Sequence, residues 1–153
     1  MLFRSVEVGG ELRGAGSKPD GQPWWVMLEQ VDGVDAGAHP PEMMLALHGL
    51  AVATSGDYRR YFERDGRRYA HTIDPRSGMP IANDLASVTV VHAQCMAADA
   101  WSTALTVLGP EDGLALAERQ GLAARFVARR TGADGAITYT ETMSTHLRGM
   151  LDE

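Results

Sequence analysis

The sequence predicts an α+β fold in which a mainly antiparallel sheet packs against two helices in the second half of the chain. Residues 88–91 are the clearest strand, because all four are β-branched. Residues 95–108 are rich in Ala, Leu and Met, which favours a helix. Asp-Gly pairs at residues 65–66 and 134–135 lie between stretches of strand-forming residues, a pattern typical of hairpins.

The first third of the chain is predicted to contain short strands separated by turns. Gly9-Gly10 marks a tight backbone feature between two of these strands. Residues 17–22 include Lys-Pro-Asp-Gly, a composition typical of a turn, and residues 32–41 form a loop that carries Gly and Pro. The strands predicted in this part comprise residues 2–8, 11–15, 24–29 and 43–54.

A hairpin and a loop are predicted to follow. Strand-forming residues at 58–63 and 68–71 flank the Asp65-Gly66 turn. Pro75 donates no backbone hydrogen bond, so residues 74–78 cannot continue a central strand and must form a loop.

The remainder of the chain is predicted to alternate strands and helices. The helix at residues 95–108 ends before Gly109-Pro110, and a second helix ends at Gly121, because glycine is favoured just after a helix. The elements predicted in this part comprise a strand at 85–92, helices at 95–108 and 111–120, a hairpin of 123–129 with 136–140, and a terminal helix at 141–150.

Composition excludes several classes of protein. The 153 residues carry a net charge of −6 and no basic block, which argues against non-specific nucleic-acid binding. The single cysteine, Cys95, excludes an internal disulfide. No run of 18 apolar residues is present, so we expect no helix that spans a membrane.

Asp99 and Thr103 are four residues apart in the helix predicted at 95–108, so their side chains share one face. The helix is mostly apolar, which predicts burial, and a buried carboxylate needs a compensating partner. A hard cation such as Mg²⁺, which takes oxygen ligands, would compensate it. Two other interpretations remain open: Asp99 can cap the helix or interact favourably with the helix dipole, and Thr103 can bond back to the Asp99 carbonyl.

A second candidate group lies in residues 71–78. His71 ends a predicted strand, and histidine is the usual general base because its charge changes near neutral pH. Asp74 can either orient His71 or cap the turn before Pro75. The planar guanidinium of Arg76 suits a phosphate, although Asp-Pro-x-Ser-Gly is also a common turn composition.

Taken together, these segments resemble the C-terminal half of the ApbE family, the FAD:protein FMN transferases. The resemblance extends from about residue 6 to residue 128, and its motifs follow the order of the family. The matching residues are Val8-Gly9-Gly10-Glu11-Leu12-Arg13-x-x-Gly16, Ser55-Gly56-Asp57-Tyr58, Asp65-Gly66, His71-x-Ile73-Asp74-Pro75-Arg76-Ser77-Gly78-x-Pro80, Ser87-Val88-Thr89-Val90 and Ala98-Asp99-Ala100-x-Ser102-Thr103-Ala104.

This resemblance implies an enzyme that uses Mg²⁺ and takes FAD as substrate. Such an enzyme splits the FAD pyrophosphate, attaches FMN to a threonine of a target flavoprotein and releases AMP. Asp99 and Thr103 would be the metal ligands, and His71 would activate the acceptor hydroxyl. The residues expected near the FAD are Ser55, Gly56, Ile73 and Asp74.

The chain departs from the family in places. Glu7 replaces an asparagine often found before the glycine pair, and Thr72 and Ser77 are mild changes in the histidine loop. We expect residues 1–153 to be the C-terminal part of an ApbE-like domain whose N-terminal half is absent. The missing half or a partner chain would then complete the site, and this chain alone would show weak transfer or none.

Three alternatives to flavin transfer remain at this point. The chain could be a module that binds or hydrolyses FAD, or an inactive fragment that lacks a complete site. It could also be a structural or interaction domain, in which Asp99 and Thr103 satisfy only each other. The family commonly works as a lipoprotein on the periplasmic side of the inner membrane, so the resemblance implies that location.

Overall fold

The computed structural model describes residues 4–28, 31, 43–58 and 61–151. Within these residues, strands dominate the first half and helices appear in the second. In chain order the elements are β1 (Arg4–Val8), β2 (Glu11–Ala15), β3 (Trp24–Met27), β4 (Met44–Leu47), β5 (Ala51–Gly56), β6 (Tyr61–Arg64), β7 (Arg67–Ala70), β8 (Ile73–Asp74), β9 (Met79–Pro80), β10 (Leu85–His92), α1 (Cys95–Leu108), α2 (Pro110–Gln120), β11 (Ala123–Thr131), β12 (Ile137–Met143) and α3 (Thr145–Leu151).

Six strands form the central sheet in the order β1-β2-β5-β10-β11-β12, and every neighbouring pair is antiparallel. The predicted α+β class is therefore confirmed. β10 lies inside the sheet, and all of its residues except the last are buried. A strand that is buried on both faces is continuously apolar or small, which explains why β10 gave the clearest sequence signal.

Helices α1 and α2 cover one face of the sheet. On this face, Val88 and Val90 of β10 and Phe126 of β11 pack with Leu105 of α1 and Ala117 of α2. These side chains are almost completely buried, and a large one such as Phe126 contributes about 1.5–3 kcal/mol to stability. Helix α1 is thereby fixed against β5 and β10, so the residues on its rim have defined positions relative to the sheet.

The opposite face of the sheet is covered by the β3–β4 pair and by α3. Leu45 and Leu47 of β4 pack with Val91 of β10 and with Leu147 of α3. This second layer shields from solvent the face of β10 that points away from α1 and α2. None of the helices in the described part of the chain is long and apolar enough to cross a membrane.

The prediction of a single strand at residues 43–54 is wrong. The structure has β4 and β5 there, in two different sheets, with a turn between them. Gly49 adopts φ +76° in this turn, a conformation that glycine reaches without steric cost. The turn at Gly49 could not be recognised from the sequence, because β4 and β5 pack against the same core and the residues on both sides of the turn are apolar.

The terminal helix predicted at 141–150 is only partly correct. Residues 141–143 belong to β12, where Met143 pairs with Arg125, and α3 begins at Thr145. Ser144 separates the two elements: its Oγ accepts a hydrogen bond from the Leu147 backbone N–H (3.3 Å), as a helix cap does. Met143 therefore belongs to a strand, and Leu147 belongs to a helix.

Both predicted Asp-Gly hairpins are confirmed. In the first, Asp65 (φ +53°) and Gly66 (φ +71°) both have positive φ, as a two-residue turn of type I′ requires. The second joins β11 to β12. The loop predicted at 32–41 lies outside the described residues.

Candidate active site

Helix α1 presents Asp99 and Thr103 on its solvent-facing side. Both side chains are exposed, whereas Ala98, Ser102 and Leu105 face the sheet and are buried. The expectation of a buried carboxylate is therefore wrong, because only one face of α1 is covered. Asp99 also does not cap the helix, since the N-cap position is Gln94. The spacing of Asp99 and Thr103 still places a carboxylate and a hydroxyl one turn apart on an accessible surface.

Ser55 of β5 connects this surface to the sheet. Its Oγ lies 2.8 Å from Thr103 Oγ1 and 3.0 Å from Ser102 Oγ. The structure therefore brings together Ser55 and Thr103, two predicted site residues from separate motifs. The bond from Thr103 back to the Asp99 carbonyl is replaced by one from Ser102, whose Oγ donates to that carbonyl (2.9 Å). Sequence reasoning did not assign a role to Ser102.

Gly56, the next residue of β5, is required by packing. A Cβ atom added there would lie 2.2 Å from the Ala86 carbonyl oxygen and 2.8 Å from Ser87 Cα. No side chain fits such an approach between β5 and β10. The close approach also lets the Asp57 backbone N–H donate to the Ala86 carbonyl (3.0 Å). Gly56 was predicted as a residue near FAD, and the structure gives it this structural role.

Asp57, which follows β5, is the centre of a charge cluster that sequence reasoning missed. Its carboxylate forms ion pairs with Arg129 of β11 and Arg68 of β7, and Arg68 also donates to the Asp57 backbone carbonyl. Buried charges persist only when they are paired, and Asp57 is buried. We call these three residues the arginine clamp. It attaches the β6–β7 hairpin, which leads directly into His71, to the central sheet.

His71 lies between β7 and β8 and is exposed. Two residues later the chain forms the short β8–β9 pair, which brackets the turn predicted at 74–78. The Asp74 backbone carbonyl accepts hydrogen bonds from Ser77 N–H (3.2 Å) and Gly78 N–H (2.8 Å). The position of His71 is therefore set by a hairpin on one side and a tight turn on the other.

Asp74 and Arg76 hold this turn together. The Asp74 carboxylate accepts hydrogen bonds from the Arg76 backbone N–H (2.8 Å), Nε (2.9 Å) and Nη2 (2.9 Å). These bonds lower the pKa of Asp74 and raise the pKa of Arg76, to which Asp112 adds a weaker electrostatic contribution. Of the two roles left open for Asp74, the described hydrogen bonds favour the turn cap, and they occupy the guanidinium that was considered for a phosphate.

The comparison with known proteins shows the family. The model of the ApbE family matches residues 4–126, so this chain belongs to that family. It is 43% identical over 124 residues to the FAD:protein FMN transferase of Haemophilus influenzae, covering 81% of this chain and 35% of that protein. It is 48% identical over 113 residues to the protein of the same name from Vibrio cholerae, covering 74% and 33%. The chain thus spans about a third of the length of these curated relatives.

Solved structures agree with this assignment. The apo form of the Pseudomonas stutzeri flavinyl transferase ApbE superposes with a TM-score of 0.82 at 46% identity, covering 99% of this chain and 44% of that one. The flavin transferase ApbE from Vibrio cholerae gives a TM-score of 0.74 at 36% identity, covering 95% and 43%. The fold described above is therefore the fold of ApbE flavin transferases over the region they share.

Proposed function

We propose that this chain carries the metal-binding and acceptor-activating part of a flavin transferase, which moves FMN from FAD to a threonine of a target flavoprotein and releases AMP. The relatives named FAD:protein FMN transferase support the class of reaction. The observation that carries the proposal is the placement of Asp99 and Thr103. Both are exposed on one side of α1, and Thr103 is held against Ser55 of a second family motif.

The oxygen donors on α1 fit a hard divalent cation. Mg²⁺ takes oxygen ligands and usually keeps several positions for water and substrate phosphates, so one carboxylate and one hydroxyl suit it. Among the described residues, no group of three or more His, Cys, Asp or Glu side chains could hold a metal ion. We propose that Asp99 and Thr103 hold Mg²⁺ together with pyrophosphate oxygens of FAD, because their oxygen atoms are ligands that this ion prefers. When bound, the ion would neutralise charge on the pyrophosphate.

His71 is proposed as the general base for the acceptor. A threonine hydroxyl is a weak nucleophile and needs a base within hydrogen-bond reach. A ring nitrogen of His71 takes the hydroxyl proton while the hydroxyl oxygen bonds to the FMN phosphorus. The bond from that phosphorus to the oxygen of AMP breaks, and its electron pair leaves with AMP. The exposure of His71 supports this role, because the acceptor is a side chain of another protein.

The surroundings of His71 are proposed to contact FAD. Ile73 is half exposed and offers apolar surface beside the turn that Asp74 and Arg76 hold rigid. Ser55 and Gly56 would approach the FAD from β5. We further propose that residues 1–153 are the C-terminal part of an ApbE-like domain, completed by a further segment or a partner chain. A lipoprotein location on the periplasmic side of the inner membrane follows from the family and stays a prediction.

The proposal is tested by incubating the intact protein that carries this chain with FAD, Mg²⁺ and a flavoprotein acceptor. We expect the acceptor to gain the mass of FMN on a threonine, with release of an equal amount of AMP and loss of both signals in EDTA. Release of AMP without modification of the acceptor would instead identify FAD hydrolysis. Binding of FAD with neither product would overturn the transferase assignment.

A further inference from the structure

We propose that Ser55 is a positioning residue: its Oγ accepts the hydrogen bond that the Thr103 hydroxyl donates, so that Thr103 Oγ1 presents only lone pairs to a cation. This inference rests on the proposed function, because it takes Asp99 and Thr103 as ligands of a metal ion. It gives the hydrogen bond between Ser55 of β5 and Thr103 of α1 a role in metal binding.

Three consecutive hydrogen bonds carry the inference. Thr103 Oγ1 lies 2.8 Å from Ser55 Oγ, and Ser55 Oγ lies 3.0 Å from Ser102 Oγ. Ser102 Oγ in turn lies 2.9 Å from the backbone carbonyl oxygen of Asp99. We call this series the hydroxyl chain. It begins at the side chain of one proposed ligand and ends on the backbone of the other.

The direction of the protons in the hydroxyl chain follows from counting donors. A carbonyl oxygen only accepts, so Ser102 must donate its single proton to Asp99. Ser102 then has no proton left for Ser55, so Ser55 must donate to Ser102. For the same reason Thr103 must donate to Ser55. Only this arrangement makes all three bonds at once.

Burial favours the complete arrangement. Ser102 is fully buried, so its hydroxyl has no access to water and must find its partners within the protein. The Asp99 carbonyl gives it an acceptor at one end, and Ser55 gives it a donor at the other. The hydroxyl chain is therefore anchored at its buried inner end by Ser102, passes through the half-buried Ser55 and ends at the exposed Thr103.

Such an arrangement suits a cation and disfavours other ligands. A hydroxyl that has donated its proton inward presents only lone pairs outward, as a metal ligand must. It cannot donate a hydrogen bond to a phosphate oxygen. Partners that orient a metal ligand typically change the affinity for the metal by about 10- to 100-fold when they are removed. We expect an effect near the lower end of that range, since Thr103 is a neutral ligand.

The test measures cation binding without FAD, so that it does not depend on catalysis. The intact protein is titrated with Mn²⁺ as a substitute for Mg²⁺, and the electron paramagnetic resonance signal of free Mn²⁺ reports binding. We expect Ser55→Ala to weaken Mn²⁺ binding about tenfold. Ser55→Thr, which keeps a hydroxyl, should restore most of the affinity.

The matched control is Thr54→Val. Thr54 is the neighbouring residue of β5, and it forms its own hydroxyl pair with Thr89 (2.9 Å) on the opposite face of the sheet. Thr54→Val should leave Mn²⁺ affinity unchanged. A loss of affinity that is seen only in Ser55→Ala is then not a general effect of removing a hydroxyl from β5. If Ser55→Ala does not fold, Ser102→Ala interrupts the same hydroxyl chain one step further in and should also weaken binding.

The outcomes separate this inference from the proposed function. If Asp99→Asn and Thr103→Val abolish Mn²⁺ binding but Ser55→Ala and Ser102→Ala leave it unchanged, the hydroxyl chain has no positioning role and the inference is overturned. If Asp99→Asn and Thr103→Val themselves leave binding unchanged, the metal site of the proposed function is wrong. Equal losses in the Ser55 and Thr54 variants would also overturn the inference.

Discussion

Replacement of Asp57 by asparagine should destabilise the protein strongly, because Asp57 is the only acid in the arginine clamp. Its side chain is 11% exposed, that of Arg129 is 14% exposed and that of Arg68 is 33% exposed. Removing one partner of a buried ion pair typically costs about 3–5 kcal/mol, because the remaining charge is left uncompensated. Asparagine keeps the size of the side chain, so the change isolates the charge.

The expected cost lies near the lower end of this range. Arg68 is exposed enough to be solvated in part, and it keeps its bond to the Asp57 backbone carbonyl. Arg129 keeps a hydrogen bond to the Leu85 carbonyl (3.3 Å). We therefore expect a loss of about 3 kcal/mol. For a domain of this size, the corresponding fall in melting temperature is about 6–12 °C.

Urea and thermal unfolding measure this loss, and Asp65→Asn is the matched control. Asp65 undergoes the same chemical change in a surface pair with Arg64 (3.7 Å) whose side chains are 91% and 79% exposed. Exposed pairs contribute about 0–1 kcal/mol, and asparagine tolerates the positive φ of this turn position. A change of less than about 0.5 kcal/mol for Asp57→Asn, or equal changes for the two variants, would refute the reasoning on the arginine clamp.

Three further predictions follow from the site and its supports. His71→Ala should lower the rate of FMN transfer by about 10²- to 10⁴-fold while FAD binding, measured by fluorescence quenching, is retained; unchanged transfer would remove His71 from the mechanism. Gly56→Ala should cost about 1–3 kcal/mol in urea unfolding because of its close approach to β10, whereas Gly149→Ala, with open space around it, should be neutral or slightly stabilising. Hydrogen bonds from Arg76 lower the pKa of Asp74 below its ordinary value of 3.8. The charged carboxylate therefore stabilises the fold above pH 3.8, and this stabilisation is lost as the pH falls through the lower pKa of the folded state. The stability deficit of Asp74→Asn should therefore shrink in acid, and a deficit independent of pH would contradict this.

Sequence reasoning located the elements whose signals are local. β10, α1 and the two Asp-Gly hairpins were predicted because β-branched runs, helix-forming runs and turn residues act within a few positions of one another. The break at Gly49 was missed, because two strands that face one core share a continuous apolar pattern. The burial of Asp99 was predicted wrongly, since composition alone does not tell which face of a helix is covered.

The contacts that build the site could not be predicted from local sequence patterns. Ser55 and Thr103 were both chosen, from different motifs, but their hydrogen bond spans 48 residues of sequence. The bond between Asp57 and Arg129 spans 72 residues. Spacing along the chain gives no information on such pairs, which depend on the antiparallel register of β5, β10 and β11. An aspartate directly after a Ser-Gly strand end, followed by an arginine-rich hairpin, was the one available signal for the arginine clamp.

The two short hairpins between β5 and β10 stand apart from the six-stranded sheet, since β6–β7 and β8–β9 form separate two-stranded ladders. Local opening of either ladder would therefore break none of the backbone hydrogen bonds of the six-stranded sheet against which α1 packs. Amide hydrogens in residues 61–80 should exchange with solvent faster than those of β10. In the proposed mechanism, such opening lets the His71 imidazole adjust to acceptors of different shape, while Asp99 and Thr103, the proposed metal ligands, stay fixed on α1.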